Sequence, residues 1–251
     1  MEVHHHPDLH HKKKNFKEYF LEFLMIFLAV TLGFFAENIR ESIKDKNQLH
    51  EYVQSMVNDL QSDTVMYNEA INFNLAHCRI IDSIITYLTQ NKDNNNKRLY
   101  YMARQLTMGS SVISPTAKTF EQMKSSGGLR LIKKQFIADS IGSYYQWIKR
   151  FDYWSDFQKQ RMNELISIND RIFDAAVLFS IVKKIENENT SGFTQESNPA
   201  LISTDRMAIN AVMMRYQYYY GILKLMNERA LSASKEAIDL ISLLKKQYHL
   251  E

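Results

Sequence analysis

The chain has 251 residues, 45% of them hydrophobic, with 7 glycines, 3 prolines, one cysteine and a formal charge of +3. Glycine and proline punctuate sheet folds and are kept out of helix interiors, so their scarcity argues against a turn-rich β fold and for long helices with few connections. The small charge, with acidic and basic residues interspersed outside the N-terminal tail, excludes a nucleic-acid footprint, and a single cysteine excludes an intramolecular disulfide.

Residues 1–18 form a basic tail rich in histidine, with His4, His5, His6, His10 and His11 followed by Lys12, Lys13, Lys14 and Lys17. Clustered imidazoles bind transition metals, but a tract without fixed geometry does so weakly, so the tail reads as a solvated, partly charged flank. No metal or cofactor is assigned to it.

From Tyr19 to Ala36 the sequence YFLEFLMIFLAVTLGFFA carries a single charge, Glu22. At about 1.5 Å per residue it extends about 27 Å as a helix, close to the hydrocarbon thickness of a bilayer. A cleaved signal peptide is the rival reading, but Phe34-Phe35-Ala36 is a poor cleavage pattern. The segment is therefore expected to be an uncleaved transmembrane anchor, residues 19–36. The four lysines ahead of it outweigh Arg40, Lys44 and Lys46 behind it by a thin margin. That bias predicts a cytoplasmic N-terminus and a C-terminal domain, residues 37–251, outside the cytoplasm.

Glu22 lies one turn inside the apolar run, where it either reaches back to the headgroups or is buried against a partner. At about 100° per residue, Glu22, Ala29, Gly33 and Ala36 share one stripe. Ala29 and Gly33 form a small-x-x-x-small pair that permits close helix approach, so this stripe is the expected association face, with a second copy or another membrane protein as partner.

Beyond the anchor a heptad pattern runs through Leu49, Val53, Met56, Leu60, Tyr67, Ile71, Asn74, Cys78, Ile81, Ile85 and Leu88, interrupted by Asp63. Ser62-Asp63-Thr64 is a possible N-cap, so the helix either bends there or continues. Asp63 and Asn74, polar residues in an apolar seam, fit parallel coiled-coil pairing. Cys78 reads as a small core residue.

A polar loop is expected at Asn91–Lys97, a short helix at about 98–108, and a further helix from Ser114-Pro115 to about Ser126, closed by Gly127 and Gly128. A second long helical pattern starts near Leu129 and runs through Ile137, Ile141, Tyr144, Ile148, Phe151, Met162, Leu165, Ile172, Ala176 and Phe179. A polar loop at Glu186–Thr204 follows, then a last amphipathic helix from about Asp205 to His249. The fold class is all-α, with one transmembrane helix continuing into an antiparallel bundle of long helices.

The motifs of catalysis are missing from this pattern. None of His50, His77 and His249 is preceded by glutamate at Glu-x-x-His spacing, and there is no Gly-x-x-x-x-Gly-Lys, Gly-x-Gly-x-x-Gly or His-Glu-x-x-His. The aromatic runs Tyr144-Tyr145-Gln146-Trp147 and Tyr216-Gln217-Tyr218-Tyr219-Tyr220 read as core and semi-exposed packing, with a ligand pocket as the alternative.

The basic tail, the glutamate-bearing anchor EFLMIFLAVTLGFFAENIRE, the following EYVQSMVNDLQSDT and the central TFEQMKSSGGLRLIKKQFIADSIGSYY resemble a single-pass inner-membrane family of Bacteroidota. The resemblance covers about half of the chain. It implies an inner-membrane protein with a helical, periplasmic C-terminal domain and carries no activity or site residues with it. The expected function is that of a non-enzymatic, membrane-anchored bundle acting as scaffold, sensor or partner-binding module. The alternative is a small-ligand binder or enzyme with a pocket between the long helices. Buried carboxylates and tyrosines converging on a pocket would favour the alternative, and an exposed apolar stripe the first reading.

Overall fold

A computed structural model describes residues 15–90, 95–186 and 198–250, and every regular element among them is a helix. The histidine-rich stretch and most of the two polar loops expected from the sequence lie outside these residues. The elements are α1 (Phe16–Gln90), α2 (Asn96–Leu106), α3 (Lys118–Ser125), α4 (Gln135–Ile148), α5 (Arg150–Ile168), α6 (Ala175–Glu186) and α7 (Arg206–Tyr248). Short 3₁₀ turns lie at Gly128–Leu131 and Asn169–Arg171. The chain divides into two compact units, the first ending at Glu51 and the second starting at Tyr52.

In the first unit, α1 exposes nearly all of its apolar side chains, including Phe23, Ile26, Phe27, Val30, Leu32, Phe34 and Phe35. Over its most apolar stretch this is the one helix among the described residues long and apolar enough to cross a membrane.

The second unit buries what the first exposes. Val53, Met56, Leu60, Tyr67, Ile71, Cys78 and Ile81 face inward, as the heptad predicts. Toward the end of α1 the buried face shifts to Ile84, leaving Ile85 and Leu88 half-buried. The helix continues through Ser62-Asp63-Thr64. Ser62 and Thr64 donate their hydroxyls back to the carbonyls of Asn58 and Gln61 instead of capping a new start.

Facing pairs give the directions of the long helices. Asn169 meets Tyr216, Arg161 lies over Tyr218, and Ser140 and Ser143 share a cavity wall with Glu236 and Asp239, so α7 runs antiparallel to α4 and α5. Tyr67 of α1 reaches both Tyr144 and Phe151. The buried face of α7, from Val212 through Tyr216, Tyr219, Leu223, Met226, Ala230, Ala233 and Ala237 to Leu244, closes the core. Asp205 caps α7 by accepting Met207 N–H at 2.9 Å and Ala208 N–H at 3.0 Å, and His249 ends it in the left-handed region at φ 54°.

Two expectations are corrected. The helix expected from Ser114-Pro115 begins at Lys118, because the backbone N–H groups that a start at Pro115 would set in its first turns are held from α1. Asp63 accepts Thr116 N–H at 2.8 Å, and Asp59 accepts Thr119 N–H at 3.1 Å and the Thr119 hydroxyl at 2.6 Å. The carboxylate of Asp59 thus does the work of an N-cap that Ala117, the residue at the cap position, has no side-chain oxygen to do. The second correction concerns the long pattern from Leu129 to Phe179, which is three helices. α4 and α5 meet at a bend on Lys149, which keeps helical dihedrals (φ −57°, ψ −21°). α5 ends in the 3₁₀ turn at Asn169, and α6 starts afresh from Asp174, which accepts Ala176 N–H at 2.7 Å. The heptad's last two members, Ala176 and Phe179, are consequently exposed, and Ile172, Phe173 and Ile181 are buried in their place.

Candidate functional site

Glu22, Ala29, Gly33 and Ala36 lie on α1 in the first unit, all exposed, and a Cβ placed on Gly33 would meet nothing within 4 Å. The described chain leaves that stripe uncovered.

Asp63 and Asn74, read from the sequence as polar breaks suited to pairing with a second copy, are buried inside this chain's own bundle at 2% and 0% exposure. Each has an intrachain partner. Asp63 accepts the Tyr144 hydroxyl at 2.8 Å and the Thr116 N–H at 2.8 Å. The Asn74 carbonyl oxygen accepts the Ser111 hydroxyl at 2.7 Å. The parallel coiled-coil reading of these two residues is therefore withdrawn: both serve to strap the segment between α2 and α3 against α1.

Tyr67 stands 3.2 Å from the Tyr144 hydroxyl, so Asp63, Tyr144 and Tyr67 form one buried chain of hydrogen bonds. Burial pushes the Asp63 carboxyl up to about 6, against the opposing pull of the Thr116 and Tyr144 donors. Burial likewise raises Tyr67, Tyr144 and Tyr145 far above the usual tyrosine range, so all three stay protonated. Tyr145 stacks on Phe120 with ring centroids 4.4 Å apart. A cavity lined by Ser140, Ser143, Tyr144, Glu236, Asp239, Leu240 and Leu243 lies alongside. The Tyr144 hydroxyl does not serve it, being engaged by Asp63 and by Tyr67. This convergence of a carboxylate with tyrosines on α1 and α4 was missed because Asp63 and Tyr144 are 81 residues apart.

His77 is buried against Phe73, with ring centroids 4.0 Å apart and Nδ1 at 3.0 Å from the Phe73 carbonyl, and burial lowers its pKa. Cys78 is buried and its thiol is pushed up by burial, as befits a core residue. Of the aromatic runs, Tyr144, Tyr145, Tyr216 and Tyr219 are core, and Tyr218 is exposed. Tyr216 donates to Asn169 at 2.9 Å where α5 ends.

One surface cleft differs from these closed interior contacts. At the bend between α4 and α5, Trp147, Arg150, Phe151 and Trp154 face Arg229 of α7 across a void of about 60 Å³. Trp147 and Phe151 meet edge to face at 5.3 Å. Neither arginine has an ion pair among the described residues, although the adjacent Lys149 pairs with Glu121 and Arg161 pairs with Glu164 at 2.7 Å. Trp147 was visible in the sequence only as part of an aromatic run; its i, i+3, i+4, i+7 spacing with Arg150, Phe151 and Trp154 puts them on one helical face, but their convergence with Arg229 on α7 is a tertiary contact that the spacing does not give.

Comparison of the chain with protein-family models, curated proteins and solved structures finds no match.

Proposed function

We propose that this protein is a non-enzymatic, membrane-anchored helical bundle that binds a partner, with residues 19–36 spanning the inner membrane, the N-terminus in the cytoplasm and the bundle outside it. The observation that carries the reading is the contrast within α1. Phe20, Leu21, Phe23, Met25, Ile26, Phe27, Leu28, Val30, Leu32, Phe34 and Phe35 are all exposed, whereas the second unit buries its own apolar seam. A continuous exposed apolar surface of this length is unfavourable in water and favourable in hydrocarbon. The lysine bias and the resemblance to the Bacteroidota family support the orientation. The engagement of Asp63, Tyr144, Tyr67, Tyr216 and Asn169 in internal hydrogen bonds supports a structural use of the polar interior.

A second reading, a small-ligand pocket, draws on the cavity beside Tyr144 with Glu236 and Asp239 on its wall. It is the weaker one, because the buried carboxylate and hydroxyls point into one another. Carbonate extraction of native membranes decides the first element: the intact chain is expected in the pellet. Recovery of a soluble product lacking residues 1–36 would show a cleaved signal instead. For orientation, protease added to osmotically opened cells should digest the bundle, and protection of the bundle would reverse the placement.

A further inference from the structure

Both tryptophans of the chain, Trp147 and Trp154, flank the single cleft that also holds Arg150 and Arg229. We propose that this cleft docks an acidic segment of a partner polypeptide, which inserts one carboxylate between the two guanidinium groups and lies against the indole walls. The proposal rests on the partner-binding reading above.

Charge complementarity sets the sign of the occupant. Arginine is the side chain best matched to a carboxylate, through two parallel N–H···O bonds, and Arg161 of this bundle pairs with one, Glu164. Arg150 and Arg229 do not, and they come from different helices, α5 and α7, to the same opening. The lining of the cleft holds two arginines and no acid, so an anion placed there is attracted by both.

Size sets the kind of occupant. A void of about 60 Å³ is far below the roughly 300 Å³ that encloses a metabolite. It admits one carboxylate group and leaves the rest of the molecule outside, which suits a side chain on a polypeptide. The wall composition agrees, since tryptophan and arginine dominate the energetically important positions of protein interfaces. Phe151 is buried behind the opening and packs on Tyr67, giving the cleft a fixed floor.

Because the cleft holds both tryptophans, intrinsic fluorescence reports on it directly. The full-length chain, in nanodiscs of a zwitterionic lipid, is titrated with an acetylated oligoglutamate peptide, with the oligoglutamine peptide and with inorganic phosphate. Oligoglutamate is expected to give a saturable change in emission that salt weakens. Arg150→Gln and Arg229→Gln should each weaken it by about ten- to hundredfold, the range for losing a charge-assisted bond. Arg150→Lys should weaken it less, because the charge remains. Both arginines are exposed, so the helical circular dichroism should be unchanged in every variant.

The proposal is overturned by an equal response to oligoglutamine, by unchanged affinity in the glutamine variants, or by no saturable response up to about 1 mM. Phosphate binding as tightly as the peptide would also overturn it, in favour of a small-anion site. A partner crosslinked in native membranes equally to the parent and to the Arg150→Gln/Arg229→Gln chain would remove the cleft and leave the partner-binding reading standing. Absence of any partner, together with no oligoglutamate response, would remove both.

Discussion

Replacing Asp63 with asparagine tests the interior of the bundle most directly, because the carboxylate sits in a place that favours its neutral form. Its pKa is raised from 3.8 to about 6, chiefly by burial. A folded-state value above the unfolded one means that folding binds a proton. Stability from this group is therefore complete below about pH 4 and is lost as pH rises through about 6. At about 1.4 kcal/mol per unit, the loss is about 3 kcal/mol at most. Asp63→Asn keeps the shape. Its amide oxygen accepts the Thr116 N–H, its amide nitrogen donates to the Tyr144 oxygen, and Tyr144 in turn donates to Tyr67. The variant does not titrate, so its stability relative to the parent should improve by up to about 3 kcal/mol between about pH 4 and pH 7. Urea unfolding of both full-length chains in the same detergent, followed by helical circular dichroism across that range, measures the difference free of every other titrating group. A difference that is flat with pH would refute the reasoning. Asp63→Ala is the control: it leaves the Thr116 N–H and the Tyr144 hydroxyl without their partner and should cost about 2 to 5 kcal/mol at about pH 4, a cost that shrinks as pH rises through about 6 because the parent alone loses stability there.

Three more outcomes follow from the packing. Gly128→Ala should destabilise the bundle by about 1 to 3 kcal/mol in the same urea assay, since a Cβ there would stand 2.8 Å from the Tyr52 ring. Asp205→Ala should cost about 1 kcal/mol by leaving the Met207 and Ala208 N–H groups uncapped, with thermal unfolding as the measurement. In membranes, a crosslinked dimer should weaken with Gly33→Leu and persist with Leu28→Ala if the small-residue stripe pairs two copies; absence of a dimer in the parent chain ends that expectation.

Periodicity was the legible part of this sequence. The alternation of four and three from Val53 to Ile81 marks the buried face of α1, and Asp205 marks the start of α7. What periodicity cannot carry is the end of a helix that no residue type marks. The bend at Lys149 has neither glycine nor proline, and the turn at Asn169 is fixed from outside, by the Tyr216 hydroxyl on a helix far along the chain. The late start of α3 has the same origin. Ser114-Pro115 is a good local start, but the carboxylates of Asp59 and Asp63 hold the N–H groups of Thr119 and Thr116, and tertiary hydrogen bonds override the local preference.

The misreading of Asp63 and Asn74 changes what can be inferred about pairing. A polar residue in an apolar seam signals that a hydrogen-bonding partner exists and does not say on which chain. Ser111, Thr116 and Tyr144 supply those partners from within, so the heptad of α1 is spent on the chain's own bundle. Self-association through the bundle seam thereby loses its support, and the case for a second copy rests on Glu22, Ala29, Gly33 and Ala36 alone. In that stripe the driving force is close backbone approach in lipid, so pairing there is independent of the bundle. The consequence is a clean separation: Asp63→Asn should move the unfolding curve and leave the dimer band unchanged, and Gly33→Leu should do the reverse. Movement of both by either substitution would show that anchor pairing and bundle stability are coupled, contrary to the intrachain role assigned to Asp63.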